Sequence, residues 1–192
     1  GLVRIVNFDA RCYSESVAAI EQLLEQGATA LVFDVRNNPG GYKTELVKLL
    51  DYLLPEGDLF LSENYKGETS VDRSDAKYLD VPMAVLVNGR SYSAAEFFAA
   101  ALSEYEAAIT IGQQTTGKGY FQNTFLLSDG SAVAISTGRY KTPKGVSLEG
   151  VGITPDVVVT VDEITDYYIY AGTLPAMEDP QILAAIDALK GK

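Results

Sequence analysis

The sequence contains no histidine, no tryptophan and a single cysteine, Cys12. Without histidine there is no Ser-His-Asp or Cys-His catalysis and no imidazole-ligated metal. One cysteine supports neither an intrachain disulfide framework nor a cysteine-rich zinc site. Positive charge is also scarce. Fifteen Lys and Arg stand against 26 Asp and Glu, a net charge of −11. Such a chain shows no basic face for nucleic acid and little attraction to an anionic membrane. No apolar run approaches the roughly 18 residues of a membrane-crossing helix, so stable insertion is not expected. The opening Leu2-Val3-Arg4-Ile5-Val6 reads as a strand and not as a signal peptide. A chain that starts inside apparent structure reads as a fragment of a longer one.

What is present is ordinary for a folded domain: 192 residues, 47% of them hydrophobic. That length allows one large domain with a sizeable core. Ser14 is placed to cap a helix whose stripe is Val17, Ile20, Leu23 and Leu24, closed by Gly27. Residues 30–35 (ALVFDV) and 83–87 (MAVLV) read as buried strands. Between them, residues 36–41 form a loop and 43–54 a helix stopped by Pro55; residues 59–80 read as a strand with an exposed excursion. Residues 94–102 form a helix apolar on nearly every side, which predicts burial all round. A strand at 109–111, a hairpin at 120–139 turning at Asp129-Gly130, a strand at 157–161 and a helix from Asp179-Pro180 to about Lys190 complete the pattern. Strands and helices alternate, so the fold class is α/β with a mixed sheet and packed helices.

Two segments carry chemistry. Gly112-Gln113-Gln114-Thr115-Thr116-Gly117-Lys118-Gly119 approaches a phosphate-cradling loop. It lacks the hydroxyl after the lysine and the helix that such a loop needs, so no nucleotide and no other cofactor is expected. Ser91-Tyr92-Ser93-Ala94-Ala95-Glu96 places serines at a strand-to-helix junction. There a serine either caps the helix or serves as a nucleophile whose oxyanion meets free backbone N–H groups. Without histidine its base must be Lys, Asp or Glu, and a Ser–Lys pair is a known substitute. The lysine must be neutral to take a proton, which means lowering its pKa from about 10.4 toward 7–8, roughly 4 kcal/mol. Glycine-flanked Lys118 precedes Tyr120 and Phe121, which help dry the site. In an extended segment, Gln122 faces the same way as Lys118 and reaches its amine.

These residues resemble the C-terminal processing peptidases, the tail-specific serine proteases. The resemblance rests on Asp34-Val35-Arg36-Asn37-Asn38-Pro39-Gly40-Gly41, on Ser91 to Glu96 and on Gly117-Lys118-Gly119-Tyr120-Phe121-Gln122. It continues through Glu149-Gly150-Val151-Gly152-Ile153-Thr154-Pro155-Asp156 and Asp179-Pro180-Gln181-Ile182-Leu183. It implies a Clp-protease/crotonase-like core, with Ser93 as nucleophile, Lys118 as general base and Gln122 positioning the lysine. Lys118 follows Ser93 by 25 residues and Gln122 follows Lys118 by four, as the family typically shows. It further implies an oxyanion hole from the Ala94 N–H and a glycine, Gly40 or Gly41. The family's usual Ser-Ala-Ser-Ala-Ser-Glu is changed here at Tyr92 and Ala95.

The resemblance implies protein or peptide substrates cut near their C-termini and an extracytoplasmic setting. It also implies a PDZ domain before a strand such as residues 2–6; none stands there, so residues 1–192 read as the catalytic core alone. Two other functions fit the fold: an inactive protease-like domain that binds peptide or lipid, and a crotonase-type acyl-CoA enzyme. The presence of Ser93, Lys118 and Gln122 together weighs against the first. The acidic balance gives the second no support. Asp34 reads as support for the loop below the site, Cys12 as structural, and Tyr167, Tyr168 and Tyr170 as partly buried packing.

Overall fold

The apolar runs around residues 30–35 and 83–87 become neighbouring parallel strands, because each is covered on both faces. The computed structural model describes residues 1–191. Its elements run β1 (Leu2–Arg4), α1 (Cys12–Glu25), β2 (Leu31–Asp34), α2 (Lys43–Leu53), β3 (Gly57–Asn64), β4 (Thr69–Ser74), β5 (Met83–Val87) and α3 (Ala94–Glu104). They continue with β6 (Ala108–Gly112), β7 (Tyr120–Leu126), β8 (Ala132–Lys141), β9 (Val157–Val158), α4 (Glu163–Ala171), a 3-10 turn (Ala176–Glu178) and α5 (Pro180–Leu189). Among the described residues there are two sheets. One is parallel with strand order β1-β2-β5-β6-β9, the other antiparallel with order β4-β3-β8-β7.

Alternate residues of β2 and β5 serve two cores. Phe33, Val85 and Val87 join Ile20, Leu49, Leu50 and Phe98 on the face of α1, α2 and α3. Val32, Ala84 and Leu86 meet Ile182 and Ala185 of α5 on the other. A strand buried on both faces has no polar alternation, which is why the sequence reads as continuous apolar runs. Helix α3 is also covered on two sides. Phe98 packs edge-on to Phe33 at 5.4 Å, while Phe97 meets Phe60 at 4.6 Å and Tyr140 at 5.6 Å from the second sheet. Residues 94–102 are accordingly all buried.

Three expectations need correction. Helix α1 starts at Cys12, not after Ser14, because Asp9 accepts the Arg11 N–H at 2.9 Å and the Cys12 N–H at 3.1 Å and begins the turn earlier. Ser14 then donates back to the Arg11 carbonyl. Residues 59–80 do not form one strand with a loose excursion: β3, which starts at Gly57, and β4 form an antiparallel hairpin with a bulge near Asp58. The tyrosines of α4 lie on the surface, where Tyr167 and Tyr168 meet edge-on and Arg90 covers the Tyr170 ring. Tyr167 and Tyr170 are 65% and 62% exposed, and the helix buries Ile169 instead. Among the described residues no helix is long and apolar enough to cross a membrane.

Candidate active site

All strands of the first sheet run parallel, so their carboxyl ends share one edge, and the loops leaving that edge converge. Three of these loops carry the residues singled out from the sequence: 35–42 after β2, 88–93 after β5 and 113–119 after β6.

Ser93 is the residue before α3, with φ 59° and ψ −123°. A non-glycine residue held there costs about 1–3 kcal/mol, which the surroundings must over-determine. They do so with short contacts. The Ser93 N–H donates to Glu96 Oε2 at 3.0 Å, and the Tyr92 N–H donates to the Asn38 carbonyl at 3.2 Å. Gly40, at φ 92°, lies so close that a Cβ on it would stand 2.8 Å from Ser93 Cβ and 2.9 Å from the Ala94 nitrogen. The bend turns Ser93 into a cavity of about 470 Å³ that it shares with Gly41, Lys118, Tyr120, Phe121 and Gln122. Ser91, the other candidate, is fully buried. Its Oγ donates to the Val35 carbonyl at 2.8 Å and accepts the Asn88 N–H at 3.1 Å, so it braces the loop.

The two glycines of the first loop differ in one decisive respect. The Gly40 N–H donates to Asn38 Oδ1 at 2.8 Å. Asn38 is itself fully buried and donates Nδ2 to the Ile5 carbonyl at 2.7 Å. Among the described residues neither the Gly41 N–H nor the Ala94 N–H has an acceptor. These two are the open backbone donors beside Ser93, one of them at the positive end of α3. Below them, buried Arg36 pairs with Asp34 and with Asp179, each at 2.8 Å. Burial alone depresses a guanidinium; the two carboxylates hold Arg36 above its ordinary value. This triad fastens the first loop to the start of α5, in line with the support expected of Asp34.

Lys118 is placed by its backbone. Its N–H donates to Glu96 Oε2 at 2.9 Å, and its carbonyl accepts the Tyr140 hydroxyl. Its ammonium stands 5.9 Å from the centroid of the Tyr92 ring. Among the described residues no hydrogen bond joins Lys118 to Ser93 through their side chains, and none joins Gln122 to Lys118. The simple alternation expected for positions 118, 120 and 122 is broken. Strand β7 begins only at Tyr120, and a bulge between Phe121 and Gln122 interrupts its register; residues 120–123 all border the cavity.

Sequence reasoning quoted Glu96 but gave it no role. The structure makes it the hub of the site. Fully buried, it accepts the Thr115 hydroxyl at 2.5 Å and the Gly117 N–H at 2.6 Å on Oε1, and the Ser93 and Lys118 N–H groups on Oε2. The available signal was Ser93-x-x-Glu96, a capping-box spacing. The glycines of the third loop admit a second segment. A Cβ on Gly117 would stand 2.8 Å from the Val151 nitrogen, and the Gly119 N–H donates to Glu149 Oε2 at 2.6 Å. Among the described residues no cluster of three acidic, Cys or His side chains could hold a metal ion.

A family profile described as peptidase family S41 matches residues 1–159. The chain belongs to peptidase family S41. A carboxyl-terminal-processing protease of Synechocystis sp. is 38% identical over 192 residues, covering all of this chain and 44% of that protein. A carboxy-terminal-processing protease of Bartonella bacilliformis is 36% identical over 186 residues, covering 93% of this chain and 43% of its own. Among solved structures, the photosystem II D1 C-terminal processing protease superposes with a TM-score of 0.75 at 37% identity, over 83% of this chain and 42% of that one. Mature CPAF, at 18% identity, shares the fold with a TM-score of 0.71 over 100% of this chain and 52% of its own. The S41 chain described here thus has the Clp-protease-like α/β core of its relatives, and it spans less than half the length of the curated ones named above.

Proposed function

We propose that residues 1–192 form the catalytic core of a serine endopeptidase that cuts protein substrates near their carboxyl ends. Ser93 is the nucleophile, Lys118 the general base, and Gln122 the side chain that orients the lysine. The Gly41 and Ala94 N–H groups form the oxyanion hole. The observation that carries this reading is the convergence of Ser93, Lys118 and Gly41 on one cavity, with the open Ala94 N–H next to Ser93 in the chain.

The steps follow from those positions. Lys118, unprotonated, leaves the Tyr92 ring and takes the Ser93 proton as Oγ attacks the scissile carbonyl carbon. The carbonyl oxygen gains the negative charge and is held by the Gly41 and Ala94 N–H groups. The C–N bond breaks, and the leaving amine takes the proton back from Lys118. Water, activated by Lys118, then splits the acyl ester and restores Ser93. The setting proposed is extracytoplasmic, on the resemblance to the family; some relatives are named as chloroplastic processing peptidases. Substrate enters beside the edge strand β7, whose first residues line the cavity.

The test compares casein or peptide hydrolysis by the wild-type chain and Ser93→Ala, alongside thermal melting. Loss of hydrolysis with an unchanged melting temperature is expected. Undiminished cleavage by the variant overturns the assignment.

A further inference from the structure

Arg90 joins α4 to the loops that build the site. It stands in the loop after β5, three residues before Ser93, and is about half exposed. Its Nε donates to Asn37 Oδ1 at 2.7 Å. Its Nη2 donates to both carboxylate oxygens of Asp166, at 2.6 and 2.7 Å. The guanidinium also lies 5.4 Å from the centroid of the Tyr170 ring. Asp166 and Tyr170 stand one helical turn apart, so they share a face of α4 and meet Arg90 together. Asn37 sits in the first loop with φ 60°, a strained value for a residue other than glycine. It pairs reciprocally with buried Asn88: its N–H donates to Asn88 Oδ1 at 3.0 Å, and its Oδ1 accepts Asn88 Nδ2 at 3.0 Å. Past Asn37 the loop runs through Pro39 to Gly41. Its far end is fixed by Phe8, whose N–H donates to the Gly40 carbonyl at 2.8 Å and whose carbonyl accepts the Tyr42 N–H at 2.7 Å. The Gly41 N–H is thus suspended between two anchors. Fully buried Phe8 is one, and the Asn37 cluster, reached from solvent by Arg90, is the other.

We propose that Arg90 is a positioning residue for the oxyanion hole: it clamps Asn37 of the first loop to its own loop and to α4, and so sets where the Gly41 N–H stands relative to Ser93 and Ala94. This inference rests on the reading of Ser93 as nucleophile and of Gly41 and Ala94 as oxyanion donors. Ala94 follows the loop that Arg90 belongs to, and Gly41 lies on the loop that Arg90 holds. Two donors from different loops meet one oxygen only when their spacing is fixed, and an error of about 1 Å is felt in the rate. Asp166 and Tyr170 keep the guanidinium from swinging into solvent, so α4 stiffens the clamp without touching substrate. The role separates from folding. A solvent-exposed ion pair adds little to stability, so breaking this one alters the reacting geometry far more than the fold.

The experiment compares the wild-type chain with Arg90→Ala, Arg90→Lys, Asp166→Ala and the double variant Arg90→Ala/Asp166→Ala. It measures kcat and KM for one peptide, the rate of fluorophosphonate labelling, and the melting temperature. In Arg90→Ala we expect kcat and the labelling rate each to fall about tenfold, with KM changed by less than about twofold, the pattern of an interaction felt mainly in the transition state. Asp166→Ala should slow both rates about threefold. The double variant should be no slower than Arg90→Ala, because Asp166 acts only through Arg90. Arg90→Lys keeps the charge but loses the fork that spans Asn37 and Asp166, so it should recover less than half of the loss. Melting temperatures should stay within about 2 °C of wild type. If wild type reacts and Arg90→Ala matches its rates, the inference is wrong. Full rates in Arg90→Lys, or losses that add in the double variant, would overturn the clamp as well. Should Arg90→Ala fail to fold, Asp166→Ala decides: slowed labelling supports the clamp and an unchanged rate contradicts it. If the folded wild-type chain neither labels nor hydrolyses, the protease reading itself falls, and this inference with it.

Discussion

Glu96 accepts the backbone N–H of Lys118 at 2.9 Å with the same oxygen that accepts the N–H of Ser93 at 3.0 Å. Two residues on different loops are thus fixed to one atom of a side chain that never meets solvent. Removing the carboxylate strands three backbone N–H groups and the Thr115 hydroxyl. We expect Glu96→Ala to lose about 3 kcal/mol of stability or more, since each buried orphan donor costs about 1–3 kcal/mol. Urea unfolding measures this. In Glu96→Gln the amide NH₂ faces two of those donors, so hydrolysis should fall even where the chain still folds.

The glycines of the first loop are predicted to differ from those in open turns. At Gly40 a methyl group collides with backbone of the Ser93 turn, whereas at Gly67, φ 80°, it meets nothing within 4 Å. Gly40→Ala should reduce kcat/KM by a factor of about 10² or more, the scale of a disrupted oxyanion site. Gly67→Ala should cost only the strain of its positive φ, about 1 kcal/mol, and leave hydrolysis unchanged.

Lys118→Arg keeps the positive charge and loses the function assigned to it. A guanidinium does not give up its proton in a protein, so it cannot serve as base. The expected outcome is hydrolysis at the level of Ser93→Ala. An active arginine variant would show that position 118 supplies only a fixed charge.

Cys12 gives a pH dependence with a definite sign. Burial raises its thiol to about 11 from an ordinary 9.0. Between those values the unfolded chain releases the proton and the folded chain keeps it. Stability contributed by Cys12 is therefore intact below about pH 9 and lost as pH rises toward 11. Urea unfolding at pH 8 and pH 10 should show a loss, of which about 1 kcal/mol disappears in Cys12→Ala. At pH 8 the native thiol should react slowly with a disulfide reagent and rapidly once unfolded.

Much of this was legible in the sequence because burial and turns leave strong patterns. Residues 83–87 lie in a sheet covered on both faces, and the strand found is Met83–Val87. Asp129-Gly130 marked the β7–β8 hairpin. Helix α4 was not read, although Asp162 accepts the Thr165 N–H and Gly172 closes it in the left-handed region. Its three tyrosines point outward and hide the periodicity. At the site, Ser93 and Lys118 were singled out by resemblance to the family's motifs, and both line one cavity. The choice between Gly40 and Gly41 was not readable, because it depends on which N–H Asn38 accepts. Tyr140 was invisible for a related reason: it belongs to the other sheet, and only the tertiary fold brings its hydroxyl to Lys118.

The central claim is that Ser93 is a nucleophile activated by Lys118, and covalent labelling tests it most directly. The folded chain is treated with a fluorophosphonate and the adduct is located by peptide mass spectrometry. The account predicts one adduct, on the peptide carrying Ser93, absent in Ser93→Ala and strongly slowed in Lys118→Ala. An adduct on Ser91, or labelling of Ser93 at full rate without Lys118, would contradict it.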